Sequence, residues 1–366
     1  MESRLSSCRG CLLGLAVGDA MGYTVDGKSW QEIREDYGPN GLLGYDLANG
    51  TAEVSSYTQL AAYTANGLLL ALNRGKLEGY PKFIGLSMKE WARKQNLPRD
   101  PEKTWCWVSK IPQLRRRHCR DSRMLDALRF DTLGTPEAPT NRNDAPGSLT
   151  AAAMVGLAFD PKRMDPPHVG ILGAKAVAMT HGNADAFLSG AVLAYAVAGI
   201  TAEPKVPLMT HFEQAISAME VQFSDQFPYA KELATQLKKA LELADPDCDG
   251  QAVMEQLECR SAGQCLAGAM FASLSCAGDL DTAMVLAVNH SGRSAAVGAL
   301  TGALLGAKLG AEALPEFYLE NLDVVAVLET LAQDLEMGTP TSGLFDDDWD
   351  LKYTRGIPVG NYGQTE

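Results

Sequence analysis

This sequence predicts an all-α protein, a single multi-helix unit, on three observations. Apolar residues recur at helical spacing, as in Phe212, Ile216, Met219 and Phe223, and again in Val324, Val327, Leu328 and Leu331. Strand-like alternation is scarce. Glycines return every fourth residue at 10, 14, 18 and 22 and at 298, 302, 306 and 310. Such spacing strips side chains from one face of a helix and permits close backbone approach.

These periods place helices at 3–22, 55–73, 83–95, 121–130, 148–157, 171–198, 207–224, 228–244, 250–275, 279–288, 294–311 and 320–335. The first and the eleventh carry the glycine ridges; the seventh and the last carry the apolar sets just named. Loops fall at 35–50, around 131–147, and in a Gly/Pro-rich end from Gly338 onward. No linker divides the chain, so we expect one domain over 1–336, with a loop-rich tail over 337–366 that packs on it or is flexible.

With 366 residues, 46 % of them hydrophobic, the chain has material for a large core and is not generally disordered. The net charge of −13 disfavours nucleic acid and anionic membranes and favours a basic partner through steering. Asp19 and Lys308 interrupt the two glycine-rich apolar runs, so core helices are expected there rather than membrane spans. Eight scattered cysteines do not make a disulfide scaffold. Cys8-x-x-Cys11 has no second pair or nearby histidine to complete a zinc site, and buried thiols are expected. The N-terminus lacks signal-peptide features, which implies a cytoplasmic protein. The acidic run Asp346, Asp347, Asp348 and Asp350 lacks EF-hand spacing, and the basic run Arg115, Arg116, Arg117 and His118 lacks interleaved aromatics; both read as solvated faces.

Five stretches carry a resemblance. RGCLLGLAVGDAMGYTVDG at 9–27 keeps Gly18, Asp19, Ala20 and Gly22 of a Gly-x-Ala-x-Gly-Asp-Ala-x-Gly motif. Ser55, Ser56, Tyr57, Thr58 and Gln59 stand in the frame of Thr-Asp-Asp-Thr-Gln. Residues 141–157 keep Asn141 and Gly147 of a loop motif, and 180–200 keep Thr180, His181 and Gly182 of Thr-His-Gly-His-Pro. VNHSGRSAAVGALTGALLGA at 288–307 has Asn289 and His290, then Arg293, Ser294, Ala295 and Ala296 in place of Asp-Ser-Asp-Ser. Over roughly residues 8 to 330 the chain resembles the ADP-ribosylglycohydrolase family, which implies its all-α fold and a cleft built from these motifs.

The resemblance also implies a pair of Mg2+ ions, and here the residues depart from it. Hard dications need several oxygen ligands, usually carboxylates. Ser56, Tyr57, Arg293 and Ala295 replace four anionic ligand positions and add a fixed cation. That charge would oppose a dication by about 4 kcal/mol per unit of metal charge at about 4 Å and an effective dielectric of about 20. We therefore expect no metal and no cofactor. Asp26 stands for a glutamate soon after the first motif and reaches less far, while Asp46 and Glu53 are poor substitutes for the missing ligands.

Arg293 leaves three readings open: pairing with Asp19 or Asp26 inside a metal-free cleft, pointing to solvent, or holding the diphosphate of an ADP-ribose-like ligand. Tyr57 argues for a filled pocket. His181 and His290 lack an adjacent nucleophile and read as packing or hydrogen-bonding residues. The expectation is a catalytically silent protein acting by binding, as an immunity or regulatory protein against an ADP-ribosyltransferase toxin. The alternative is a divergent hydrolase of ADP-ribosyl or other N-glycosidic bonds.

Overall fold

A computed structural model describes residues 2–47, 50–74, 79–96, 104–160, 164–245, 248–276, 278–338 and 347–353. Its ordered elements are helical, and no strand occurs among the described residues. The all-α expectation holds.

The organising contact is α1 (Glu2–Val25) lying antiparallel against the late helix Ser294–Leu309. A Cβ added to Gly10, Gly14 or Gly18 would stand 2.1, 2.2 or 2.0 Å from the carbonyl oxygens of Gly306, Gly302 and Gly298. Only glycine lets the two backbones touch this way, and the pair forms the centre of a continuous buried core. Gly310, counted above in the second ridge, is instead the C-cap of that helix, at a positive φ of 86° that favours glycine.

Around this pair stand α2 (Trp30–Tyr37), α3 (Ser56–Arg74), α4 (Tyr80–Asn96), α5 (Ser122–Ala127) and α6 (Leu149–Leu157). The expected helix at 171–198 is two helices, α7 (Pro166–Ala178) and α8 (Ala184–Ala202). Asn183 caps α8 by accepting from the Asp185 amide, and the turn before it carries His181. Next come α9 (Leu208–Phe223) and α10 (Tyr229–Glu242). The expected 250–275 helix also divides, into α11 (Gly250–Gln256) and α12 (Ala262–Ser275), because Ser261 and Gln264 form a capping box that starts a new helix.

α13 (Leu280–Val288), α14 (Ser294–Leu309), α15 (Glu316–Glu320) and α16 (Val325–Met337) complete the main body. α2 and α15 were not expected from the periodicity. Within the segment expected to be loop-rich, α17 (Asp347–Tyr353) buries Trp349 and Tyr353, and the Tyr353 hydroxyl donates to Asp334 at 2.7 Å. Asp346 lies outside the described residues. Among described helices, α8 alone is long and apolar enough to cross a membrane, and 83 % of its window is buried in the core.

Candidate functional site

A cavity of about 370 Å³ opens where the C-terminal end of α1, the start of α3, the loop before α5, the lead-in to α6 and the start of α14 converge. It is lined by Asp26, Ser55, Ser56, Tyr57, Gly147, Arg293 and Ala295 from the expected set, and by Tyr23, His118, Arg120, Asp121 and Arg123, which sequence reasoning missed. The glycine contact accounts for the meeting of the first and last motifs. With Gly22 packed on the Ser294 carbonyl, Asp26 comes level with the first turn of α14 and accepts the Ala295 amide at 3.3 Å.

Asp19 does not face this cavity. It is fully buried behind the wall, accepting the amides of Ser55 (2.9 Å) and Thr58 (3.0 Å) and both their hydroxyls. Burial outweighs these four bonds and pushes its carboxyl up to about 6. Asp26, half-buried, is also raised by burial, against the pull of the Ala295 amide and the charges of Arg293 and Arg120.

Arg293 is exposed and makes no ion pair with Asp19 or Asp26 among the described residues. The expected pairing is thus not formed, because Asp19 is already enclosed by α3. Arg293 remains close enough to lower the Asp26 carboxyl electrostatically. Its backbone is held by the Cys259 carbonyl at 2.8 Å. Tyr57 lines the cavity without filling it, and burial keeps its phenol protonated well above the ordinary range.

The loop residues act behind the wall. Asn141 ties its loop to the turn before α8, donating to the Thr180 carbonyl at 2.9 Å and accepting the Gly182 amide at 3.0 Å. His181 is buried under Gly147, where an added Cβ would lie 3.0 Å from its ring. Its Nδ1 meets the hydroxyls of Ser148 and Thr180 at 2.8 Å, and its Nε2 lies 3.5 Å from Asp121. Burial would raise Asp121, yet the contacts with His181, Asn143 and the Met124 amide hold it well below the usual carboxylate range. Asp121 also caps α5.

The last motif is largely structural. Asn289 accepts the Leu42 amide at 2.8 Å and donates to the Leu42 carbonyl at 2.9 Å, clamping the loop after α2. His290 donates from Nε2 to the Ala287 carbonyl and accepts the Gly292 amide at Nδ1; burial lowers its pKa to about 4. Ser294 and Ala296 are buried in the first turn of α14. Asp46 accepts from Tyr37, and Glu53 pairs with Arg116 at 3.1 Å, so neither acid joins the cavity.

Apart from Tyr23 on α1, the missed residues sit on 118–123, within HCRDSR. The neighbouring basic run was visible, but the proximity of this loop to the motifs exists only in three dimensions. Tyr23 and His118 bond at 3.0 Å, and Arg120 stacks over the Tyr23 ring at 6.0 Å.

The sequence model of ADP-ribosylglycohydrolase matches residues 1–344. The chain belongs to the ADP-ribosylglycohydrolase family. A solved structure titled "ADP-ribosylglycohydrolase-related protein complex" is similar with a TM-score of 0.61 and 23 % identity, covering 93 % of this chain and all of that one, which supports the shared fold. No curated protein matches the chain. For an ADP-ribosylglycohydrolase, the donor set is a poor fit to a magnesium pair. Asp19 is enclosed, Tyr57 is a neutral phenol, Ala295 offers only its amide, and Asp121 is committed to α5 and His181. Among the described residues no cluster of three or more His, Cys, Asp or Glu is arranged to hold a metal ion.

Proposed function

We propose that this chain is a catalytically silent ADP-ribosylglycohydrolase that works by binding an ADP-ribose-like anion in the cavity. One observation carries the reading: Arg120, Arg123 and Arg293 line the cavity against the two carboxylates of Asp26 and Asp121, in a protein whose net charge is −13. Arg123 leans on Asp121 at 3.9 Å, which leaves Arg120 and Arg293 facing the single carboxylate of Asp26. Guanidinium groups suit a diphosphate because their fork of donors matches its oxygens. The hydroxyl of Ser56 adds a neutral donor suited to ribose and phosphate oxygens.

On this reading the protein recognises ADP-ribosyl groups, free or attached to protein, in the cytoplasm. Its acidic surface favours a basic partner such as an ADP-ribosyltransferase toxin, towards which it acts as an immunity or regulatory protein. Titration calorimetry with ADP-ribose in chelator tests the binding step. Saturable binding weakened about tenfold by Arg293→Ala supports it; absence of binding rejects it. The divergent-hydrolase alternative predicts release of ADP-ribose from modified arginine or serine at enzymatic rates, and assays with and without Mg2+ separate the two.

A further inference from the structure

We infer that Asp19 is a positioning residue that reaches from α1 to cap α3 and thereby fixes Ser56 and Tyr57 in the cavity wall. The helix-start amides of Ser55 and Thr58 are normally satisfied by a side chain of the same segment. Here one carboxylate oxygen from another helix takes both, at 2.9 and 3.0 Å. The other oxygen takes the Ser55 hydroxyl, whose oxygen in turn accepts the Tyr57 amide at 3.2 Å. On its far side the Tyr57 carbonyl accepts from Thr150 of α6 at 2.9 Å.

A chain of contacts therefore runs Asp19, Ser55, Tyr57, Thr150 and joins α1, α3 and α6, three of the elements that meet at the cavity. Tyr23 on α1, Tyr45 on the loop before α3 and Tyr57 on α3, all phenols, sense the charge of Asp19. The groups that donate to the buried carboxylate, the amides and hydroxyls of Ser55 and Thr58, are all neutral. Burying a carboxylate held only by neutral donors is costly, and Ser55 already gives the Tyr57 amide a local cap. What the carboxylate adds is reach between two elements whose relative placement sets the cavity.

The reading of the cavity as a ligand site makes this role functional, but the test reads the position directly in the ligand-free full chain. Amide hydrogen exchange is followed in the peptide spanning 55–58, with α8 as internal reference, in the native protein, Asp19→Asn, Thr58→Val and the double variant. An Asn side chain keeps one acceptor oxygen. Protection of 55–58 should fall about fivefold or more in Asp19→Asn, the worth of roughly one hydrogen bond, with α8 unchanged. Thr58→Val should give a smaller loss that does not add to the first in the double variant.

ADP-ribose affinity should fall in parallel with local protection. Unchanged protection at 55–58 in a folded Asp19→Asn, a loss spread evenly over the chain, or full additivity would overturn the inference. If Asp19→Asn fails to fold, Thr58→Val and Ser55→Ala carry the same comparison: selective loss at 55–58 supports it, and none rejects it. If the native protein binds no ADP-ribose while the exchange pattern appears, the ligand reading fails and the positioning role stands.

Discussion

The carboxylate of Asp26 accepts the backbone amide of Ala295 at 3.3 Å, so the ends of the first and last motifs meet through a hydrogen bond. An alanine at 295 can hold Asp26 only by its main chain, and the side-chain space beside it belongs to the cavity. Arg293, two residues earlier, then supplies positive charge to that same space. On the proposed reading the substitutions act together: each gives up a ligand position that the resemblance implies, and the arginine adds a positive charge to the lining.

The first prediction concerns the glycine contact that brings these motifs together. Gly18→Ala places a methyl 2.0 Å from the Gly298 carbonyl oxygen, and backbone cannot move aside cheaply there. Denaturant unfolding should show a loss of about 3 kcal/mol or more. Gly44→Ala, with nothing within 4 Å of the added methyl, should change stability by less than about 1 kcal/mol. Equal effects would refute the close-packing argument.

Acid dependence follows from Asp19. Its folded carboxyl titrates near 6 against an ordinary value of 3.8, because burial outweighs its hydrogen bonds. The folded state therefore holds this proton more tightly than the unfolded chain. Asp19 contributes stability that is fully present below about 3.8 and is lost as pH rises through about 6. His290, lowered to about 4 by burial, acts oppositely: its contribution is present above 6.5 and is lost as pH falls through about 4. Comparing native protein with Asp19→Asn cancels the histidine. The stability of the native protein relative to the variant should decline between pH 4 and 6; a rise would contradict the assignment.

Asn289 gives a third prediction. Its side chain exchanges two hydrogen bonds with Leu42 and donates a third to the Val285 carbonyl at 2.7 Å. Asn289→Ala leaves buried amide groups of Leu42 unpaired and should cost about 2–4 kcal/mol in thermal or denaturant unfolding. A variant as stable as the native protein would show that water replaces the clamp freely.

Binding should also register the arginine rim. Arg120→Ala is expected to weaken ADP-ribose binding about tenfold, the worth of one charge-assisted hydrogen bond. Binding by the native protein should weaken with added salt, as expected for a partly exposed cationic site. Salt-independent affinity in calorimetry would place the ligand elsewhere.

Much of this architecture was legible because helical period and glycine spacing are local properties. The misread boundaries were places where a short polar stretch carrying a cap lies between two apolar helical segments: Asn183 starts α8 inside 171–198, and Ser261 starts α12 inside 250–275. Both signals are in the sequence, but helical spacing on either side of each polar stretch let the period be read straight through it. The motif residues of the site were found by frame. Asp19 was placed in the cleft because sequence position says which helix a residue is on and not which face it buries. Arg120, Asp121 and Arg123 were missed because they belong to no motif and the fold alone brings their loop to the cavity lining.

The most direct test of the central claim is calorimetric titration of ADP-ribose into the full chain, once in chelator and once in magnesium. An anion site without a metal pair predicts saturable binding with the same affinity in both, and no magnesium uptake when the metal is titrated alone. Binding that requires magnesium, or uptake of two ions per chain, would contradict it.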